Sequence, residues 1–146
     1  MDDKVLMHLT LPILEFDTLT DGVIYTRECV DKCILNEFTM KEMLGAHTLL
    51  GEFGVGNEYQ FVNHTRASHR VTKLFIKDNM LLGKVDILDT PNGRVVYNLV
   101  KDYNVVLRLL PRGTITDIDK GTRELKEIFV HTFDIVPTGL TKHSYF

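Results

Sequence analysis

The chain has 146 residues, of which 44% are apolar and 25% are charged, and its formal net charge is −3. This size suffices for one compact domain that buries a core without disulfides or metals, and the composition excludes a disordered chain and a coiled coil. The lysines and arginines are scattered along the sequence, so we expect no direct nucleic-acid partner.

The apolar stretches are too short to cross a membrane. The stretch from Val105 to Leu110 is interrupted by Arg108, whereas a membrane span needs about 20 apolar residues. The amino terminus alternates apolar with polar residues and lacks the basic and apolar regions of a secretory signal. We therefore expect no membrane segment and a protein that is made in a cytoplasm.

The first elements in chain order are a strand, a turn and a helix. Residues 4–15 alternate in polarity, which predicts a half-buried strand, and Pro12 places this strand at an edge or an end. A turn follows at Asp21 and Gly22. From Thr26, a capping residue, apolar side chains recur at helical spacing and predict a helix of roughly three turns. The side chains of its buried face are Val30, Cys33, Ile34 and Phe38.

Cys29 and Cys33 are the only cysteines of the chain. Four residues apart on a helix, they have poor geometry for a disulfide, and two thiols are too few for a structural zinc site. We expect both to be small buried hydrophobic residues.

The central segment predicts a glycine-rich loop, a hairpin and a second helix. Three glycines lie between positions 51 and 56, where the backbone must turn tightly or be approached closely. Two apolar runs, 71–77 and 80–88, flank Asp78-Asn79 and predict a hairpin. Thr90-Pro91 then opens a helix with a capping hydroxyl and a proline in the first turn. Its predicted buried face consists of Val95, Val96, Leu99, Val100 and Tyr103.

Two more strands are predicted at 105–110 and 127–136, joined by a polar connection at 114–125. Short strands with two helices favour an α+β domain built on a small barrel or a strongly curved sheet, with residues 1–146 forming a single domain.

The sequence lacks strong motifs of catalysis and cofactor binding. His64 and His69 are five residues apart in an extended segment, where an odd separation places side chains on opposite faces, so we expect no shared metal and no cofactor. Ser68 and Ser144 are the only serines. Neighbours on a strand point apart, so we expect no hydrogen bond between Ser68 and His69, and Ser144 lies in the tail.

Five stretches, taken in order, resemble one family. They are DGVIYTRECV (21–30), LGEF (50–53), ASHRV (67–71), GKVDILDTPNG (83–93) and FDIVP (133–137). These segments resemble the prohead, or head-maturation, proteases of myovirus-like tailed phages, which share their fold with herpesvirus assemblin. The resemblance covers about residues 20–137 and leaves a short tail at 138–146. It implies a small β-barrel with flanking helices.

The departures from the family pattern concern catalysis. The resemblance places the catalytic base at Val55, within Gly-Val-Gly, and the nucleophile at Leu110 or Pro111, within Leu-Pro-Arg-Gly. Serine protease chemistry needs an ionisable base beside an oxygen or sulfur nucleophile, and aliphatic side chains supply neither. We therefore expect a pseudoprotease that is not an enzyme.

Three residues match the family near the vestigial site, namely His69, Arg112 and Gly113. We expect His69 to be a hydrogen-bonded barrel residue and Arg112 to be a salt-bridge donor, although related proteases gather oxyanion donors near Arg112-Gly113.

By analogy with the family, the leading hypothesis is an auxiliary or decoration protein of a phage capsid, located in the virion and made in the cytoplasm of a bacterial host. Its partners would be the major capsid protein or other virion proteins, and homo-oligomer formation stays open. Such binding predicts an exposed apolar or aromatic patch, for which Tyr59, Phe61, Tyr145 and Phe146 are candidates.

Two alternatives stay open. One is an active serine-type prohead protease that processes capsid and scaffold proteins with recruited groups, such as Thr114 or Thr116 with His69 or His131. The other is a scaffold or core component that acts only during assembly.

Overall fold

In the computed structural model, the described parts of the chain are residues 4–54 and 62–138. They contain eight strands and three α-helices. The strands are β1 (Val5–Glu15), β2 (Leu19–Thr20), β3 (Val23–Ile24), β4 (Leu50–Glu52), β5 (Ala67–Lys77), β6 (Met80–Leu88), β7 (Leu107–Ile118) and β8 (Leu125–Pro137). The helices are α1 (Arg27–Val30), which continues as a π-helical segment (Asp31–Leu35), α2 (Phe38–Ala46) and α3 (Pro91–Tyr103), and a 3-10 turn spans His64–Arg66.

The main sheet is antiparallel and has the strand order β1-β6-β5-β4. Strand β1 lies at its edge, which confirms the position that Pro12 predicts. The hairpin of β5 and β6 is also as predicted, with Asp78 in the left-handed conformation (φ 55°) at its turn. The turn at Asp21-Gly22 separates β2 from β3, and both residues have positive φ.

Strands β7 and β8 form a second, long antiparallel hairpin. Its ladder reaches from Leu107, opposite Pro137, to Ile118, opposite Leu125. The predicted strand at 105–110 therefore continues into the predicted polar connection at 114–125, of which residues 114–118 belong to β7. This half of β7 is largely exposed on both faces. Its sequence therefore lacks the alternation of apolar and polar residues that predicts a half-buried strand.

The two sheets wrap toward each other without closing. At one side a parallel bridge joins Phe53 to Ile135, and Gly54 N donates to the Ile135 carbonyl at 2.8 Å. At the other side, Arg108 Nη2 donates to the carbonyl oxygen of Ile13 at 3.1 Å. No continuous ladder links β4 to β8 or β1 to β7 within residues 4–54 and 62–138, so the predicted barrel is corrected to a mixed fold of separate sheets.

One hydrophobic cluster joins the sheets and helices. Its largest fully buried side chains include Phe16, Ile34, Leu81, Leu109 and Phe133. These residues come from the position that follows β1, the π-helical segment, β6, β7 and β8. Each fully buried side chain of this size stabilises the fold by roughly 1.5 to 3 kcal/mol.

The first predicted helix is interrupted. The Thr26 hydroxyl accepts a hydrogen bond from Cys29 N at 3.1 Å, which confirms the predicted cap. Cys29 and Cys33 are free and buried, and burial, with the neighbouring Cys33, raises the pKa of Cys29 to about 12. Phe38 begins α2 and is 71% exposed, so its predicted place on the buried face is wrong.

Helix α3 begins as predicted, because the Thr90 hydroxyl accepts from Gly93 N at 2.9 Å. Val96 is fully buried, but Val95 and Tyr103 are 43% and 72% exposed, which corrects the predicted buried face. None of the helices in the described ranges is long and apolar enough to span a membrane.

Candidate active site

The fold brings His69 and the Leu110–Gly113 stretch together through β8. His69, on β5, lies opposite Gly51 of β4, and Pro111, on β7, lies opposite Phe133 of β8. The His69 Nε2 atom lies 2.8 Å from the Phe133 carbonyl oxygen. The side chain of His69 thus contacts β8, the strand that pairs with the Leu110–Gly113 stretch of β7.

Both ring nitrogens of His69 are engaged. A carbonyl oxygen only accepts, so Nε2 carries the proton that is donated to Phe133, and Nδ1 accepts from the Ser68 hydroxyl at 2.7 Å. Ser68 and His69 are both fully buried. The prediction that these neighbours do not bond is wrong, because the alternation of Cβ directions along a strand does not prevent the Ser68 hydroxyl from reaching the ring of the next residue. Burial lowers the pKa of His69 to about 4, despite the opposing effects of the Phe133 carbonyl and Asp134.

Gly51 is required by the close approach of this ring. A Cβ atom at position 51 would overlap the Phe133 carbonyl oxygen and the His69 ring. Glycine at position 51 is therefore required for packing. Gly54 has a φ of 108°, a backbone conformation that favours glycine over other residues.

A buried ion cluster lies beside the histidine. Arg112 Nε and Nη2 donate to the two carboxylate oxygens of Asp134 at 2.9 and 2.7 Å, and Nη2 lies 3.4 Å from Glu52 Oε2. The three side chains are 8%, 7% and 4% exposed. Burial alone disfavours the charged guanidinium, but Asp134 and Glu52 outweigh it and hold the pKa of Arg112 above its ordinary value.

The cluster also fixes the two ends of the segment that follows β4. Glu52 N donates to Asp134 Oδ1 at 3.0 Å, and Asn63 N donates to Glu52 Oε2 at 2.9 Å. Arg66 Nε lies 3.6 Å from Glu52 Oε1. Sequence reasoning did not single out Glu52 or Asp134, although a carboxylate inside an apolar strand segment, as in Phe-Asp-Ile-Val, is a signal of a buried ion pair.

The remaining predicted site positions are on β7 or outside the described ranges. Leu110 and Pro111 are half-buried, and Gly113 is exposed, where a Cβ atom would overlap the Phe129 carbonyl oxygen. Val55 lies outside the described residues, as do Ser144 and the four aromatic residues of the predicted patch, Tyr59, Phe61, Tyr145 and Phe146.

The groups of the alternative protease arrangement have other contacts. Thr116 donates to Glu127 Oε1 at 2.8 Å. His131 is half-buried, with its ring 4.7 Å from that of Phe129, and its Nε2 has no hydrogen-bond partner in the described ranges. Thr114 is exposed on β7. Across residues 4–54 and 62–138, no group of three or more His, Cys, Asp or Glu side chains could hold a metal ion.

Comparisons with known proteins yield a similarity of fold. No family model matches the sequence, and no curated protein matches it. A solved structure, described as the bacteriophage T4 capsid assembly protease, gp21, matches with a TM-score of 0.71 and 16% sequence identity. The match covers 93% of this chain and 89% of that chain. The chain therefore has a mixed α/β fold similar to that of a phage capsid assembly protease.

Proposed function

We propose that the chain is a capsid-associated structural protein of a tailed phage, built on a capsid-protease fold and without protease activity. The fold similarity supports a role related to the capsid, since the matched structure is named a capsid assembly protease. Its partners would be the major capsid protein or other virion proteins, and the mature virion would be its location.

The state of His69 is the observation that carries the proposal. A general base must reach the proton that it removes, directly or through one water. His69 is fully buried, and its acceptor nitrogen already receives the Ser68 hydroxyl, which is itself fully buried. The burial of both side chains supports a structural role for this Ser–His pair.

The residues of β7 at the family's nucleophile position also support the absence of protease activity. The resemblance places the nucleophile at Leu110 or Pro111, neither of which has a nucleophilic atom. Arg112 follows them, and its Nε and Nη2 donors are directed at the carboxylates of Asp134 and Glu52. An oxyanion hole needs donors that point at the developing charge of a substrate.

Quantitative mass spectrometry of purified mature virions tests the virion role. Copies of this protein are counted against the major capsid protein. We expect a fixed ratio with tens to hundreds of intact copies per particle. Its absence from mature particles, together with its presence in proheads, would replace the proposal with an assembly-stage scaffold or core component.

A cleavage assay tests the second half of the proposal. The purified chain is incubated with the phage's capsid and scaffold proteins, with an active prohead protease as the positive control, and the products are identified by mass spectrometry. We expect no specific cleavage. Cleavage that disappears in Ser68→Ala but persists in Thr116→Ala would identify Ser68 as a nucleophile and refute the proposal.

A further inference from the structure

The outer face of the main sheet carries a pair of facing lysines. In the β5–β6 ladder, Lys73 lies directly opposite Lys84, and both side chains are exposed. Both ammonium groups lie over the ring of Phe75, at 5.6 and 5.9 Å from its centroid. Like charges that face each other across two strands destabilise a sheet, so this arrangement is unfavourable in the isolated protein.

The local acidic side chains do not neutralise this pair. Within residues 4–54 and 62–138, no carboxylate oxygen lies within 4.0 Å of the ammonium groups of Lys73, Lys77 or Lys84. Asp86, the nearest acidic residue along β6, is bound by Arg70 at 2.9 Å and by His8 at 2.7 Å. The two ammonium groups therefore have the Phe75 ring on one side, and their other side is exposed to solvent.

The pattern along the strands is cationic, apolar, cationic. Phe75 lies opposite Leu82, and both are half-buried, while exposed Lys77 follows at the end of β5 on the same face. Successive residues on one face of a strand are about 6.6 Å apart, given a rise of about 3.3 Å per residue. An extended peptide laid along β5 would place alternate side chains over these three positions.

We propose that this lysine face, defined as Lys73, Lys77 and Lys84 around Phe75 and Leu82, binds an extended acidic segment of a partner protein. The segment has the pattern acidic, any, apolar, any, acidic. Its first carboxylate pairs with Lys73 and Lys84, its apolar side chain packs on Phe75 and Leu82, and its second carboxylate pairs with Lys77. The face lies on the side of the sheet opposite to His69, so the proposal does not depend on protease activity or on its loss.

Charge complementarity favours an acidic protein segment over nucleic acid. Phosphates along a single strand would need a longer run of cations. The lysine face instead has an acidic residue at each end, because Asp86 adjoins Lys84 and Glu15 lies opposite Met80. A chain of net charge −3 also lacks the long-range attraction that nonspecific nucleic-acid binding uses.

Fluorescence anisotropy of a labelled peptide, Ser-Glu-Thr-Leu-Thr-Glu-Ser, titrated with the full chain tests this inference. We expect saturable binding that weakens with added salt. Lys73→Gln and Lys84→Gln should each lower the affinity about threefold to fivefold, the size of one exposed ion pair. Lys41→Gln, on the exposed surface of α2, is the matched control and should leave the affinity unchanged.

Two further measurements make the result decisive. Thermal unfolding should show Lys73→Gln and Lys84→Gln to be at least as stable as the parent chain, because each relieves the facing charges. A peptide with Gln in place of Glu should bind at least tenfold more weakly. Any of three results would overturn the proposal. The two peptides could bind equally well, or Lys73→Gln could bind the acidic peptide as tightly as the parent chain does. The parent chain could also bind a labelled twelve-residue oligothymidylate more tightly than the acidic peptide.

Discussion

The buried neutral His69 predicts a specific loss of stability in acid. Its pKa is about 4 in the folded protein and 6.5 in a solvated reference state. Between these values the unfolded chain binds a proton that the folded chain does not, so the free energy of unfolding falls as the pH falls. The separation of roughly 2.5 pH units corresponds to about 3 kcal/mol lost between about pH 6.5 and about pH 4.

Urea unfolding of the parent chain and of His69→Gln, followed by circular dichroism between about pH 7 and about pH 4, measures this loss. Glutamine can still donate to the Phe133 carbonyl but does not titrate. We therefore expect the variant to be less stable at neutral pH and its stability to depend less steeply on pH. The His64→Gln variant is the control, because it makes the same substitution at an exposed histidine. Parallel curves for the parent and His69→Gln would refute the assignment of a buried neutral histidine.

Three other substitutions test the contacts around the site. Arg112→Met leaves Asp134 buried without its bidentate partner and should lower the free energy of unfolding by about 3 to 5 kcal/mol, measured in urea. Gly51→Ala places a methyl group against the His69 ring and the backbone, so we expect a loss of at least about 1 to 3 kcal/mol by the same measurement. Thr90→Ala removes a helix cap and should cost about 1 kcal/mol, seen as a lower melting temperature.

The sequence correctly predicted the elements that depend on short local patterns, such as turn residues and helix caps. The hairpin around Asp78-Asn79 and the start of α3 at Thr90 depend on turn and cap chemistry, which acts over two to four positions, and both are as predicted. The buried face of α3 was predicted less well. Helical spacing alone does not show how many side chains of the helix the sheet covers, and Tyr103, in the last turn, is 72% exposed.

The site depends on contacts that the sequence does not display. Glu52 and Asp134 are 82 positions apart, and they meet Arg112 only because β4 packs beside β8. The bond between Ser68 and His69 violates the alternation rule, which describes the directions of Cβ atoms and not the reach of a hydroxyl. The resemblance marked the stretches in which most of these residues occur, but it did not supply their geometry.

The polar cluster has a physical reason that does not require catalysis. A buried ion pair is often no more stabilising than apolar residues of the same volume. Its advantage can instead be specificity, since its directional contacts favour one packing arrangement of the strands over others. Within residues 4–54 and 62–138, the main sheet meets the β7–β8 hairpin through one bridge, between Phe53 and Ile135, and not through a ladder. Backbone hydrogen bonds between these described strands therefore specify their register only weakly. Arg112 with its carboxylates, and His69 with the Phe133 carbonyl, supply directional contacts across that junction. This cluster therefore fixes how the hairpin sits against β4.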